Sequence, residues 1–161
     1  MEQFTFTNTA AFIGGMSSLL LSGINFSASQ LTLPILYRLP AATSTDVFEE
    51  LFYRGGWVIV PLTIFSTSCT GVGAYYDSNR STGYTIAAIA SFASLPWTGL
   101  FMRSTIQYLI KIAHDERLRQ KVEGREVVSL LKRWRWMNNV RAGLAAIGGM
   151  ISLAMLIGGL H

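Results

Sequence analysis

The chain has 161 residues, half of them hydrophobic and only 14% charged, with a formal net charge of +4. Ordinary soluble domains carry about 25% charged residues, whereas here Gln3–Tyr37, Gly55–Tyr76, Gly83–Met102 and Ala142–Leu160 carry none. Each stretch approaches or exceeds the roughly 20 residues a helix needs to cross a hydrocarbon core, which excludes a soluble bundle with a polar face on every helix.

The first span is predicted from about residue 9 to Pro34 (9–34), where proline disturbs the helix. It follows Glu2 with no basic n-region, so it reads as a retained span and not a cleaved signal peptide. Ser18, Ser22, Asn25 and Ser29 recur at helical spacing. Such a stripe faces a bundle interior, either as hydrogen-bond glue between helices or as the wall of a pocket. Asn25 is the costliest of the four to leave unpaired and is expected to have a specific partner.

Loop one, 37–54, contains Asp46–Phe52, which reads as a short amphipathic helix with Val47, Phe48, Leu51 and Phe52 on its apolar side. It would lie at the interface or over the mouth of the bundle. Span two, 55–76, carries Pro61, which a membrane helix tolerates, and the small residues Ser66, Thr70 and Gly73. The single cysteine, Cys69, reads as a small buried hydrophobe. Tyr75, Tyr76 and Tyr84 flank the second loop as interfacial anchors.

Span three, 83–102, contains Pro96-Trp97-Thr98, and its helical period continues through Tyr108, Leu109 and Ile112. Gly124 allows the chain to turn, and a second extension leads through Trp134 into span four, 142–160. Ala145 with Gly149, and Gly148 with Ser152, form small-xxx-small pairs that suit close contact within the bundle or in a homodimer. The expected fold is therefore all-α: an integral membrane four-helix bundle, one domain over 1–161, with cytoplasmic helical extensions of spans three and four.

Twelve of the thirteen Lys and Arg residues lie in loops one and three, 37–54 and 103–141. The positive-inside rule puts both loops in the cytoplasm and both termini in the lumen; the endoplasmic reticulum is the expected membrane. The basic third loop then meets anionic lipid of the bilayer, and no nucleic-acid partner is expected.

Before the last apolar run, Trp134, Asn138 and Arg141 sit at offsets that place them on one helix face, in line with Val127, Leu130, Leu131 and Ala145. An amide and a guanidinium thus occupy the face a helix normally buries, where polar groups are costly unless paired. The alternative for Arg141 is snorkelling to lipid phosphate. Trp97, Trp134 and Trp136 also suit an interfacial belt, best so for Trp136, which lies off the stripe.

The two histidines, His114 and His161, lie outside the spans, and the spans contain no carboxylate. A membrane di-iron site or bis-histidine haem needs several such groups. No nucleotide-binding glycine loop and no Ser-His-Asp set is evident, so neither metal nor organic cofactor is expected. What remains is Asn25, Thr98, Asn138, Arg141, Trp97, Trp134 and the loop-one arginines. Hydrogen-bond donors, a cation and aromatic walls suit a flat, apolar, phenolic ligand whose anion must be stabilised.

Three blocks resemble the small four-span membrane-protein family that includes the fungal anthrone oxygenases. They are Gly23-Ile-Asn25 followed by Pro34-Ile-Leu36, Pro96-Trp97-Thr98 with Met102 and Thr105, and Trp134-x-x-x-Asn138-x-x-Arg141-Ala142. The family usually has asparagine after that threonine; this chain has Ile106. The resemblance implies oxidation of an aromatic polyketide anthrone to a quinone with dioxygen and no added cofactor. It implies that Arg141 with Asn138 or Asn25 stabilises the oxyanion. Trp97 and Trp134 would stack on the rings, with Thr98 and Met102 beside them. His114, with an intrinsic pKa near 6.5, is the candidate base, although it also reads as a solvated loop residue. Water held by Asn25, Thr98 or Asn138 is the alternative base. Thr98 can instead cap a carbonyl freed by Pro96, and Met102 can be core. A cyclase or isomerase of a polyketide or terpenoid on the same scaffold, or a non-enzymatic membrane scaffold, are the competing readings.

Overall fold

A computed structural model describes residues 2–158, with side chains from Phe6 to Gly158. The last residues of the predicted fourth span, and His161, lie outside the described residues. The described residues are helical throughout, apart from short turns. Four helices are long and apolar enough to cross a membrane: α1 (Phe6–Leu36), α2 (Ala41–Tyr76), α3 (Ser81–His114) and α5 (Gly124–Ile157). A short α4 (Glu116–Lys121) joins α3 to α5. Asp115 caps α4 by accepting from the Leu118 N–H at 3.0 Å.

The helices form a square in which α1 packs on α2 and α5, and α3 packs on the same two. Interiors and exteriors are exchanged relative to a water-soluble bundle. Ser18, Thr63, Ser66, Thr70, Ser91 and Ser152 are buried, whereas Leu20, Phe26, Ile64, Ile89, Leu100 and Ile147 face outward. An apolar exterior on this scale marks a membrane-embedded surface.

Small residues set the helix spacing. A Cβ on Gly14 would stand 2.8 Å from the Thr70 backbone N, so α1 and α2 touch backbone to backbone, and Ser66 Oγ donates to the Gly14 carbonyl at 2.8 Å. Gly149 abuts Leu19 and the Gly15 carbonyl of α1, while Gly148 abuts Ser91 and the Ala87 carbonyl of α3. Ser18 donates to the Ala145 carbonyl at 2.8 Å, and Ser152 to the Ala11 carbonyl at 3.0 Å. The small-xxx-small faces of α5 are thus occupied inside the bundle.

Several boundaries differ from expectation. Asp46–Phe52 is no separate interfacial helix: it belongs to α2, which is continuous from Ala41. Its apolar side divides accordingly, with Phe48 fully buried and Val47 38% exposed. Helix α1 continues past Pro34 because a π turn, Ala28–Thr32, precedes it, and the Leu33 N–H reaches back five residues to the Ala28 carbonyl. Gly124 opens α5 and does not itself make the turn. Tyr84 is no interfacial anchor; it is fully buried with its ring against Gly73, whereas Tyr75 and Tyr76 are exposed. Cys69 is only half-buried.

Candidate active site

The period of α5 turns its stripe inward. Val127, Leu131, Trp134, Asn138, Arg141 and Ala145 are all buried, Arg141 to 6% exposure. Arg141 therefore does not snorkel to the surface. Trp136, off the stripe, is 64% exposed.

Asn138 joins α5 to α1. Its Nδ2 donates to the Asn25 carbonyl at 2.8 Å and to Ser29 Oγ at 2.9 Å. Its Oδ1 accepts from Arg141 Nη1 at 3.2 Å. The amide is fully engaged and holds the guanidinium by one edge. Ser29 and Ser18 of the α1 stripe act as glue. Asn25 does not: its Nδ2 returns to the Leu21 carbonyl of its own helix at 2.9 Å, and its Oδ1 is buried with no protein partner. Among the described residues the expected side-chain partner for Asn25 is absent, and its backbone makes the cross-helix bond instead.

These residues wall a cavity of about 280 Å³, just below the roughly 300–1,000 Å³ of small-molecule pockets. Asn25 and Ala28 of α1 form one wall, and Trp134, Asn138 and Arg141 of α5 a second. Leu95, Thr98 and Gly99 of α3 form a third, and α2 contributes Leu51, Phe52, Gly55 and Gly56. The lining is almost entirely apolar apart from the amides, Thr98 and Arg141. Trp134 is fixed by an edge-on contact with Phe48, ring centroids 5.3 Å apart, and its Nε1, like Arg141 Nε, is buried with no hydrogen-bond partner among the described residues.

Among the described residues Arg141 is the only charged one in this lining, and no carboxylate pairs with it. A guanidinium in an apolar wall without a counter-ion is expensive. An anion brought in by a ligand would offset that cost.

The structure brings together Asn25, Thr98, Trp134, Asn138 and Arg141 and leaves three predicted residues elsewhere. Trp97 faces α5: its Nε1 donates to the Met137 carbonyl at 3.2 Å and its ring packs on Phe101. Met102 is fully buried in the adjoining core with Leu36, Phe48, Leu109 and Leu131. His114 is exposed at the end of α3, with Nε2 2.9 Å from Glu49 Oε1. Thr98 lines the cavity and donates to the Ser94 carbonyl at 2.8 Å. It does not reach the Phe92 carbonyl, which Pro96 leaves without its usual helix donor. Ile106 packs in the Met102 core and not in the cavity wall.

The anthrone oxygenase family model matches residues 48–151. The chain belongs to the anthrone oxygenase family. No curated protein and no solved structure matches it. The family match takes in the cavity walls contributed by α2, α3 and α5 and begins after Asn25. Sequence reasoning missed the α2 wall, above all Gly55 and Gly56. The only sequence signal was the Gly55-Gly56 pair inside an apolar run, since glycine weakens a helix; in the structure a Cβ on Gly56 or Gly99 would meet nothing within 4 Å. These glycines keep space open, whereas Gly14 and Gly149 bring helices together.

Proposed function

We propose that the chain is a multi-pass membrane monooxygenase that oxidises an anthrone-type aromatic polyketide to the quinone with dioxygen and without an added cofactor. The observation that carries this reading is Arg141, a cation without a counter-ion among the described residues, in the wall of a largely apolar cavity. An anthrone has an acidic methylene whose conjugate base places charge on the former carbonyl oxygen. Arg141, held by Asn138, is suited to stabilise that oxyanion, and Trp134 offers an aromatic wall to the rings. The Asn25 carbonyl oxygen Oδ1 is placed to accept from a phenolic hydroxyl.

The balance closes without a reductant. The methylene proton leaves to water, the anthrolate passes one electron to dioxygen, the two radicals combine into a carbon-bound peroxide anion, and that anion takes a proton back from water to give the hydroperoxide. Loss of water, with the second methylene hydrogen and the O–O bond, leaves the quinone. One oxygen atom enters the product and the other leaves as water, the substrate's own two hydrogens serving as reductant. No imidazole or carboxylate lines the cavity among the described residues, so the first proton is assigned to water, and His114 is set aside as base.

The basic end of the bundle, carrying loops one and three, is assigned to the cytoplasm and both termini to the lumen of the endoplasmic reticulum, following the charge asymmetry. The test is turnover of an anthrone by protein in lipid nanodiscs with an oxygen electrode. One dioxygen consumed per quinone formed supports the reading. Turnover under strict anaerobiosis identifies a redox-neutral cyclase or isomerase instead, and no turnover of any anthrone removes the anthrone-oxygenase reading.

A further inference from the structure

The cavity is not closed on all four sides. Helix α2 packs against α3 through Ser81–Phe92 and again through Arg103–His114, but scarcely touches the segment between, Ser94–Met102. Two features of α3 account for the separation. Pro96 removes a helix donor, and the π turn Thr98–Met102 adds a residue to the helical turn directly after it. The segment instead packs on α5, where Trp97 is bonded to the Met137 carbonyl.

The cavity lies at the level of this gap. Gly56 and Val60 on α2, and Leu95 and Gly99 on α3, belong to its lining, and Val60 and Gly99 also face outward. Beyond the gap the surface is apolar: Trp57 is 84% and Leu100 78% exposed. On helices that cross a membrane, this rim meets lipid.

We propose that the cavity is loaded sideways from the bilayer, by a planar lipophilic molecule passing between α2 and the Ser94–Met102 segment of α3. The identity of that molecule as an anthrone rests on the function proposed above; the route does not. A polycyclic phenol concentrates in the membrane by the burial of its apolar surface. A lateral opening delivers it to Arg141 without a return to water, and the glycines on both lips leave a slot for a flat ring system.

The experiment places a thiol on the wall facing the gap. Ala28→Cys, in a Cys69→Ser background reconstituted in phosphatidylcholine vesicles, is labelled with lipid-soluble phenylmercury. Gly99→Phe is then added to fill one lip, Val60→Trp to fill the other independently, and Gly143→Phe as a control, since Gly143 is exposed on α5 with nothing within 4 Å of a Cβ. The proposal expects labelling of Ala28→Cys to slow at least about tenfold with either lip variant and to be unchanged by Gly143→Phe. Labelling that neither lip variant slows, that a membrane-impermeant mercurial achieves equally fast, or that does not occur at all overturns the route. If wild type oxidises no anthrone while both lip variants still slow labelling, the route stands and the assignment of substrate fails alone.

Discussion

Replacing Arg141 by Gln removes the cation while keeping a polar side chain of similar reach. A full charge about 4 Å from a guanidinium is stabilised by about 4 kcal/mol at an effective dielectric of about 20. At about 1.4 kcal/mol per pKa unit, this lowers the pKa of the bound methylene by about 3 units. Loss of a single oxyanion donor in other enzymes reduces rate by about 10²–10³, the same scale. Turnover by Arg141→Gln should therefore fall by about 10²–10³. The sign for pH follows directly. The cation depresses the pKa of the bound anthrone, so wild type reaches its rate plateau at lower pH, and the variant's ascending limb moves up by about 2–3 units. Anaerobic absorbance titration of the bound anthrone reads the same shift without turnover. Stability supplies the control. A structural arginine would destabilise the bundle when lost, whereas removing a buried charge without a counter-ion is neutral or stabilising, so thermal melting in detergent should hold or rise. Activity within about twofold of wild type, or an unshifted pH profile with a lowered melting temperature, would refute the assignment of Arg141 to the ligand.

Asn138→Ala removes both bonds to α1 and the hold on Arg141; it should cost about 1–3 kcal/mol of stability and slow turnover, seen by melting and steady-state kinetics together. Gly55→Leu projects a side chain from the α2 wall, where a Cβ would meet only Ile59 at 3.8 Å, so ligand affinity should fall at least about tenfold with the melting temperature retained. His114→Ala alters an exposed contact with Glu49 and should leave turnover within about twofold; a large loss would restore His114 as the base. Gly14→Val forces a branched side chain onto the Thr70 backbone, which α2 cannot yield without moving, so this variant should lose folded yield in membrane extraction, unlike Gly143→Val.

Where the helical period runs undisturbed, the sequence is a reliable guide to the site. Trp134, Asn138 and Arg141 lie in one continuous helix with no π turn or proline, so offsets of four and seven translate directly into one buried face. Asn25 precedes the π turn of α1 and is likewise buried. Prediction fails where the period is reset. Trp97 and Thr98 are adjacent, yet they straddle the start of the π turn in α3, and only Thr98 faces the cavity. Met102 ends that turn and lands in the core. Asp46–Phe52 differs from the expected separate helix for another reason. Asp46, Glu49, Glu50 and Arg54 interrupt the apolar run, but they lie within the single α2 helix, and their charge does not end it. The cavity itself depends on Gly55, Gly56 and Gly99 meeting across three-dimensional space, which spacing along one helix does not encode.

The most direct test of the account is a cryo-electron microscopy map of the protein with a tricyclic phenol that lacks an oxidisable methylene. The account predicts planar density between α2, α3 and α5, against Trp134, with a ligand oxygen about 3 Å from the Arg141 guanidinium. Ligand density seated instead at the groove lined by Tyr37, Arg125 and Lys132, with the Arg141 cavity empty, would contradict it.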